Sequence, residues 1–237
     1  RARNGHSHDP SSFAFKAGDG LYGTFECRTV DSFIAFGSNG RIYSVPVSSL
    51  PGARGDGQPV TTLVDLEAGT QLLHYVAGPA NATYLLSSSG GYGFLANIEH
   101  MISRNKSGKA FVTVNEGETI CRPSPVSGGS GETPWPVAVN VACASVGGRF
   151  LTFAIGELKT MEKGGRGLML IDLEPKDSLA GAAAYTRSVR IDGIGRGGKA
   201  REEVLEIRSL NNAKAARAKK GKVADLGFKP SGVVRME

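Results

Sequence analysis

Short apolar runs broken by turn residues recur along this chain at a spacing that suits strands rather than helices. Phe33-Ile34-Ala35-Phe36 leads into Ser38-Asn39-Gly40, and Arg41-Ile42-Tyr43 returns. Thr83-Tyr84-Leu85-Leu86 leads into Ser89-Gly90-Gly91 and returns as Tyr92-Gly93-Phe94-Leu95. Residues 138–142 lead into Gly147-Gly148 and return as Arg149-Phe150-Leu151-Thr152-Phe153. Each reads as a β-hairpin closed by glycine. A second glycine flanked by basic residues follows seventeen positions later, so that Gly40 pairs with Gly57, Gly91 with Gly108 and Gly148 with Gly165. Leu50, Met101 and Leu158 each stand seven residues before that second glycine. Three anchors in one register mean that a single supersecondary unit has been copied.

The period runs from Gly40 to Gly91, then Gly148, then a fourth turn at Gly197-Gly198. The longer middle period is explained by a Pro/Gly/Ser-rich insert at 127–136, read as a surface loop. A looser basic element, Lys219-Lys220-Gly221-Lys222, belongs to the last copy. Lys16-Ala17-Gly18-Asp19-Gly20 resembles Ala53-Arg54-Gly55-Asp56-Gly57, which adds an incomplete first copy. The expectation is one all-β domain over residues 1–237, with units at about 1–32, 33–82, 83–136, 137–187 and 188–237. Such units cannot bury an apolar face alone, so a radial or stacked β architecture of about five units follows, closed or broken. Two windows show helical spacing. Residues 96–104 read as a short helical turn, and 201–220 as a strand at 204–208 followed by a basic connector, with a continuous helix as the alternative.

Charge is concentrated. Residues 1–186 hold 15 Lys+Arg against 16 Asp+Glu, and residues 187–237 hold 13 against 6, so the last quarter carries the whole net +6. Basic residues also recur at equivalent repeat positions: Arg54; then Arg104, Lys106 and Lys109; then Lys159, Lys163 and Arg166; then Lys214, Arg217, Lys219, Lys220 and Lys222. Arg41 and Arg149 open return strands, and Arg196, Lys199 and Arg201 flank the fourth turn. On a radial fold these residues fall on one rim, a track suited to regularly spaced phosphates, with glycine leaving backbone N–H groups open to approach. The competing reading of any single cation is a solvated loop residue. Cys27, Cys121 and Cys143 are odd in number and widely spaced, read as buried reduced thiols on strands. With no run of eighteen apolar residues and no signal pattern, a cytoplasmic, nucleoid-associated location without membrane contact is expected.

Lys16-Ala17-Gly18-Asp19, the run from Leu50 to Pro59, Gly91-Tyr92-Gly93-Phe94 and Arg104-Asn105-Lys106-Ser107-Gly108-Lys109-Ala110 resemble the C-terminal domains of the A subunits of bacterial type II topoisomerases. The likeness is specific in the first three units and weakens after about Asp172. It implies a β-pinwheel whose blades exchange strands and whose rim binds duplex DNA, steering segments to a cleavage core that lies N-terminal in the same polypeptide. It implies no cofactor in this domain, with ATP and Mg used by the whole enzyme and the ATPase (B) subunit as a further partner. The gyrase branch carries a Gln-Arg-Arg-Gly-Gly-Lys-Gly box for DNA wrapping. Here Glu162-Lys163-Gly164-Gly165-Arg166-Gly167 comes nearest, which favours the topoisomerase IV branch, in which the domain bends DNA for decatenation and supercoil relaxation.

Catalytic readings are weaker. Gly18-Asp19-Gly20-Leu21-Tyr22-Gly23 fits a dinucleotide pattern, but residues 24–30 read as a strand where a helix is needed. His6-Ser7-His8 sits in a terminal segment with only Asp9 nearby, and no metal site is expected. Glu116 and Glu118, placed on one face of a strand edge, lack a converging second pair, so a propeller glycosidase ranks last. A protein-interaction platform built on the acidic first 186 residues is the main alternative to DNA binding. None of the tyrosines is expected to be catalytic; those on strands should pack between blades.

Overall fold

The computed structural model describes residues 2, 3, 5, 8–52, 57–128 and 136–236. Fifteen strands follow in chain order: β1 (Ser32–Gly37), β2 (Arg41–Pro46), β3 (Leu72–Gly78), β4 (Thr83–Ser87) and β5 (Tyr92–Asn97). Next come β6 (Lys109–Ala110), β7 (Ser124–Ser127), β8 (Asn140–Ser145), β9 (Arg149–Ala154) and β10 (Leu168–Met169). The last are β11 (Leu179–Tyr185), β12 (Ser188–Ile194), β13 (Ala200–Glu206), β14 (Lys222–Val223) and β15 (Lys229–Arg235). Two short helices, α1 (Ile98–Met101) and α2 (Ile207–Asn212), follow β5 and β13.

These strands form four antiparallel sheets, ordered β3-β1-β2-β6, β10-β5-β4-β7, β11-β8-β9-β14 and β13-β12-β15. The fold is all-β and of pinwheel type, with four sheets among the described residues where the repeat suggests about five. Among the described residues the first unit contributes a 3-10 turn at Pro10–Ser12 and extended chain. Residues 24–30, read as a strand from sequence, are loop and turn, with no strand among the described residues paired to them. Ile207 and Arg208 lie in α2 rather than in a strand. The cause is a shared rule: β2, β5, β9 and β13 each run directly into a helical turn that tucks an apolar side chain inward, with Met101 and Leu210 fully buried.

Each of the first three sheets takes its outermost strand from the next unit. β6 pairs with β2, β10 with β5 and β14 with β9. The donor strand begins at a glycine in left-handed conformation, Gly108 (φ 63°), Gly167 (φ 81°) or Gly221 (φ 70°). A Cβ there would stand 2.2–2.5 Å from the carbonyl oxygen of Ile42, Gly93 or Phe150 on the receiving strand, so only glycine fits. The donor then bonds to the carbonyl of the hairpin glycine: Phe111 to Gly40, Leu170 to Gly91 and Ala224 to Gly148. Structural equivalence therefore selects Gly167 in the third copy, two residues beyond the Gly165 of the constant sequence offset.

Apolar packing binds consecutive sheets. One cluster joins Ile34, Phe36 and Ile42 of the first sheet to Leu86, Phe94 and Ala96 of the second. Two further clusters join the second to the third through Leu85, Val141 and Leu151, and the third to the fourth through Ala142, Phe150, Val189 and Ile191. A last cluster, Ala35, Tyr43, Val45 and Val64, belongs to the first sheet and its following loop alone. At the hub, β7, β11 and β15 pack on one another. Arg235 at the end of β15 donates to the carbonyls of Pro125, Val126 and Pro136. An open cavity of about 1270 Å³ is lined by all four sheets and their loops: by Leu73 and His74, by the segments 119–122 and 178–181, and by Asp192, Ile194 and the chain from Gly227 to Val234. Cys121 and Cys143 are buried free thiols pushed up to about 12 and above the usual thiol range by burial. Cys27 is half-buried in loop and Cys121 lies outside a strand, unlike the expectation for both, because their units carry no strand there.

Candidate nucleic-acid interface

Basic residues gather around each donor glycine, at the end of each sheet remote from the hub. Four residues before it stand Arg104, Lys163 and Arg217; two before it, Lys106 and Lys219; one before it, Arg166 and Lys220; one after it, Lys109 and Lys222. Lys159 and Lys214 lie earlier on the same segments, beside the docking contacts Leu95–Thr160 and Thr152–Lys214 that seat each segment on the preceding sheet. Arg196, Lys199 and Arg201 surround the β12–β13 hairpin of the fourth sheet. Arg54 lies outside the described residues, as do His6 and Ser7.

Several of these cations are already engaged. Arg41 follows hairpin glycine Gly40 and donates to the carbonyls of Ser107 (3.0 and 3.3 Å) and Gly108 (3.2 Å). Arg149 holds the same position after Gly148 and donates to the Gly221 carbonyl at 3.4 Å. Both clamp the donor turn onto its receiver. In the second sheet Tyr92 takes that place, and Arg166 from the donor side lies 4.2 Å over its ring. Arg166 also forks into Glu118 at 2.8 and 2.9 Å, which holds that carboxyl below the usual carboxylate range and raises the guanidinium. Arg217 donates to the Met169 carbonyl at 2.6 Å, and Lys109 to the His100 carbonyl at 2.7 Å, with burial lowering the Lys109 pKa. Lys220 meets Glu174 at 3.2 Å, and Glu174 also receives Arg149 at 3.1 Å.

The remaining ten are exposed, with no ion pair or side-chain hydrogen bond among the described residues: Arg104, Lys106, Lys159, Lys163, Arg196, Lys199, Arg201, Lys214, Lys219 and Lys222. Exposed Arg208 on α2, between the fourth hairpin and Lys214, joins this surface. A reading of the sequence passes over it by making it the last residue of a strand, although its place in the basic last quarter is a signal. Glu174 escapes that reading too, and Glu118 enters it only as a candidate carboxylate, not as the partner of Arg166. Glu116 and Glu118 belong to a turn closed by Glu118 N–H and the Asn115 carbonyl, with Glu118 committed to Arg166, so they form no carboxylate pair of the hydrolytic kind. Among the described residues no group of three or more His, Cys, Asp and Glu is placed to hold a metal, and no helix is long and apolar enough to cross a membrane.

Beside the hub cavity, Tyr22 approaches His74 Nδ1 at 3.2 Å and lies under Arg122, 4.7 Å from its ring. Burial lowers the His74 pKa to about 4, so the ring is neutral at pH 7.

The family model described as DNA gyrase C-terminal domain, beta-propeller, matches residues 31–69 and 140–185. The structure of the Escherichia coli ParC C-terminal domain superposes with a TM-score of 0.78, covering 98% of this chain and 91% of that one at 25% identity. A gyrase A C-terminal domain superposes with a TM-score of 0.64 at 15% identity, covering 92% of this chain and 70% of that one, a likeness of fold. The chain belongs to the C-terminal domain family found in the A subunits of bacterial type II topoisomerases. Within that family its relatives along nearly its whole length include the A subunits of DNA topoisomerase 4 from Neisseria gonorrhoeae, 38% identical over 94% of this chain, and from Haemophilus influenzae, 30% identical over 96%. The chain spans 28% and 30% of the length of those two relatives.

Proposed function

We propose that this chain is a non-catalytic, sequence-independent module that binds duplex DNA along its basic outer edge, bends it, and steers segments to a cleavage core elsewhere in the A subunit of a topoisomerase IV. The observation that carries this reading is the recurrence of exposed cations around the donor glycine of three consecutive sheets, continued by the basic hairpin of the fourth. Equivalent positions on equivalent sheets give a periodic array, which suits the regular phosphates of a duplex better than the scattered charges of a solvated surface. No residue here is assigned a catalytic role, and no cofactor; ATP and Mg belong to the whole enzyme, with hydrolysis in the B subunit. The reaction served is ATP-dependent decatenation and supercoil relaxation in the cytoplasm.

Gyrase-like wrapping is the second reading. Against it stands Arg166, the arginine of the segment nearest to the wrapping box, which is spent on Glu118 and Tyr92. A titration of duplex DNA at several salt concentrations tests the proposal. With about four to six phosphates neutralised, affinity falls by roughly two to three decades between 50 and 200 mM salt. A slope near zero, or tight salt-insensitive binding of a protein partner in its place, overturns it. End-to-end energy transfer across a labelled duplex separates bending from wrapping.

A further inference from the structure

A second element repeats in register with the hairpins of the first three sheets. Each of these hairpins is met by a four-residue turn from later in its own unit, at 67–70, 115–118 and 174–177, closed at 3.0 Å by the fourth N–H on the first carbonyl. The third residue is left-handed every time: Gly69 (φ 79°), Gly117 (φ 78°) and Lys176 (φ 68°). The residue after the turn then accepts an N–H from the hairpin, two positions before its glycine: Gln71 from Ser38, Thr119 from Ser89 and Ser178 from Val146, each at 2.8 Å. The three turns are structurally equivalent.

What they carry is acid. Glu67 opens the first, Glu118 ends the second, and Glu174 and Asp177 open and end the third. Each turn sets a carboxylate beside an arginine of a strand-exchange site: Glu67 lies 3.9 Å from Arg41, Glu118 forks into Arg166 at 2.8 and 2.9 Å, and Glu174 meets Arg149 at 3.1 Å. Arg166 and Lys220 hold the same place, one residue before a donor glycine, and both are taken, Arg166 by Glu118 and Lys220 by Glu174 at 3.2 Å. The third occupant of that place is neutral Ser107. None of the three donor turns therefore offers a free cation there, while Arg104, Lys106, Lys163 and Lys219, two to four residues before a donor glycine, are exposed.

A carboxylate that fills both arms of a guanidinium takes the geometry that a phosphate would take. Glu118 has the advantage over a phosphate arriving from solvent. Its side chain is only 17% exposed, it also accepts the Asn115 N–H at 3.0 Å, and the Tyr92 ring backs the arginine at 4.2 Å. A tethered and partly buried partner is already ordered and is less screened by salt than a surface pair. We propose that these turn carboxylates, Glu118 above all, act as internal phosphate surrogates that withhold the cations next to the donor glycines and confine a bound duplex to the remaining exposed ones. The inference rests on the DNA-binding reading and names the residue that sets how far the duplex is engaged.

The test is the salt dependence of duplex binding by the 237-residue chain. Glu118→Gln should steepen the log–log slope by about 0.9, one further phosphate, and tighten binding about three- to fivefold at 100 mM salt. Glu174→Gln, acting through Lys220, should steepen it in the same sense. In an Arg166→Gln background Glu118→Gln should add nothing to the slope, because the cation it frees is gone. Glu116→Gln, an equal charge change at an exposed position of the same turn, should leave the slope as it was. An unchanged slope in a folded Glu118→Gln chain, or in Glu174→Gln where that chain fails to fold, overturns the proposal. So does a gain that survives the loss of Arg166, or an equal gain from Glu116→Gln. In each of these cases a steep wild-type slope leaves DNA binding standing. A wild-type slope near zero removes that reading, and this inference with it.

Discussion

The third and fourth sheets start from the same hairpin and finish in different environments. In the third, β9 is covered by β14, and Thr152 is bracketed by the Ala213 carbonyl and the Ala215 N–H of the following unit. In the fourth, β13 has neither cover among the described residues, and all of its residues but the half-buried Leu205 are exposed. The hairpin thus specifies a strand pair, while the next unit's donor strand turns that pair into a buried sheet. This contrast also locates the charge. The exposed strand pair lies in the basic part of the chain, where the last 51 residues carry 13 of the 28 lysines and arginines.

The comparison breaks first at a core position. Phe150→Asp places an unpaired charge beneath the third sheet and should cost about 4 kcal/mol or more, enough to unfold the chain in a thermal melt. Val204→Asp on the exposed fourth-sheet strand should shift stability by no more than about 0.5 kcal/mol. A soluble, unaltered Phe150→Asp protein would refute the assignment of β9 to the core. Second in size is the donor turn. Gly108→Val meets the Ile42 carbonyl from a left-handed backbone and should lose about 3 kcal/mol in denaturant titration, with exchange protection of β2 lost. Gly197→Ala, equally left-handed but with open space around it, should lose only about 1 kcal/mol.

The central cavity has its own pH signature. His74 is depressed to about 4 in the folded chain by burial, while Tyr22, Arg122 and the Ile120 backbone face it. The unfolded chain binds the proton below about pH 6.5 and the folded chain does not, so stability falls as pH drops from 6.5 toward 4, by about 2 kcal/mol. The melting temperature of wild type should fall relative to that of His74→Phe between pH 7 and pH 4.5. Identical pH profiles would dismiss His74 as the source. Reversal of Lys219, Lys220 and Lys222 to glutamate should weaken DNA binding about ten- to a hundredfold with the melt unchanged. The same reversal of Arg196, Lys199 and Arg201 tests whether the fourth sheet contributes as much. The smallest effect is expected from Glu174→Gln, which releases Lys220 and Arg149 and should tighten DNA binding about twofold.

Hairpins are the most legible part of the sequence, because glycine at Gly40, Gly91, Gly148 and Gly198 is demanded by left-handed backbone and leaves a visible period. The exchange of strands is not readable from the residues themselves. A donor of two paired residues, such as Leu168–Met169, has too little pattern to reveal its receiver, and a two-residue shift moves the anchor from Gly165 to Gly167. At the candidate interface the basic positions are legible from composition around glycine. Which of them are already engaged is not, since Arg41 and Arg166 are told apart from Arg104 and Lys163 only by partners distant in sequence, Glu67, Ser107 and Glu118 among them.

The stitch made by Arg235 has a consequence for biogenesis. Its guanidinium reaches back across about a hundred positions to the carbonyls of Pro125, Val126 and Pro136, so the centre of the molecule waits for the strand made last of all fifteen. On a ribosome, hairpins can zip as they emerge, but the axle about which they turn is fitted only when the tail arrives. Losing that tail, by nonsense mutation or by a protease, leaves the earlier sheets formed and uncentred.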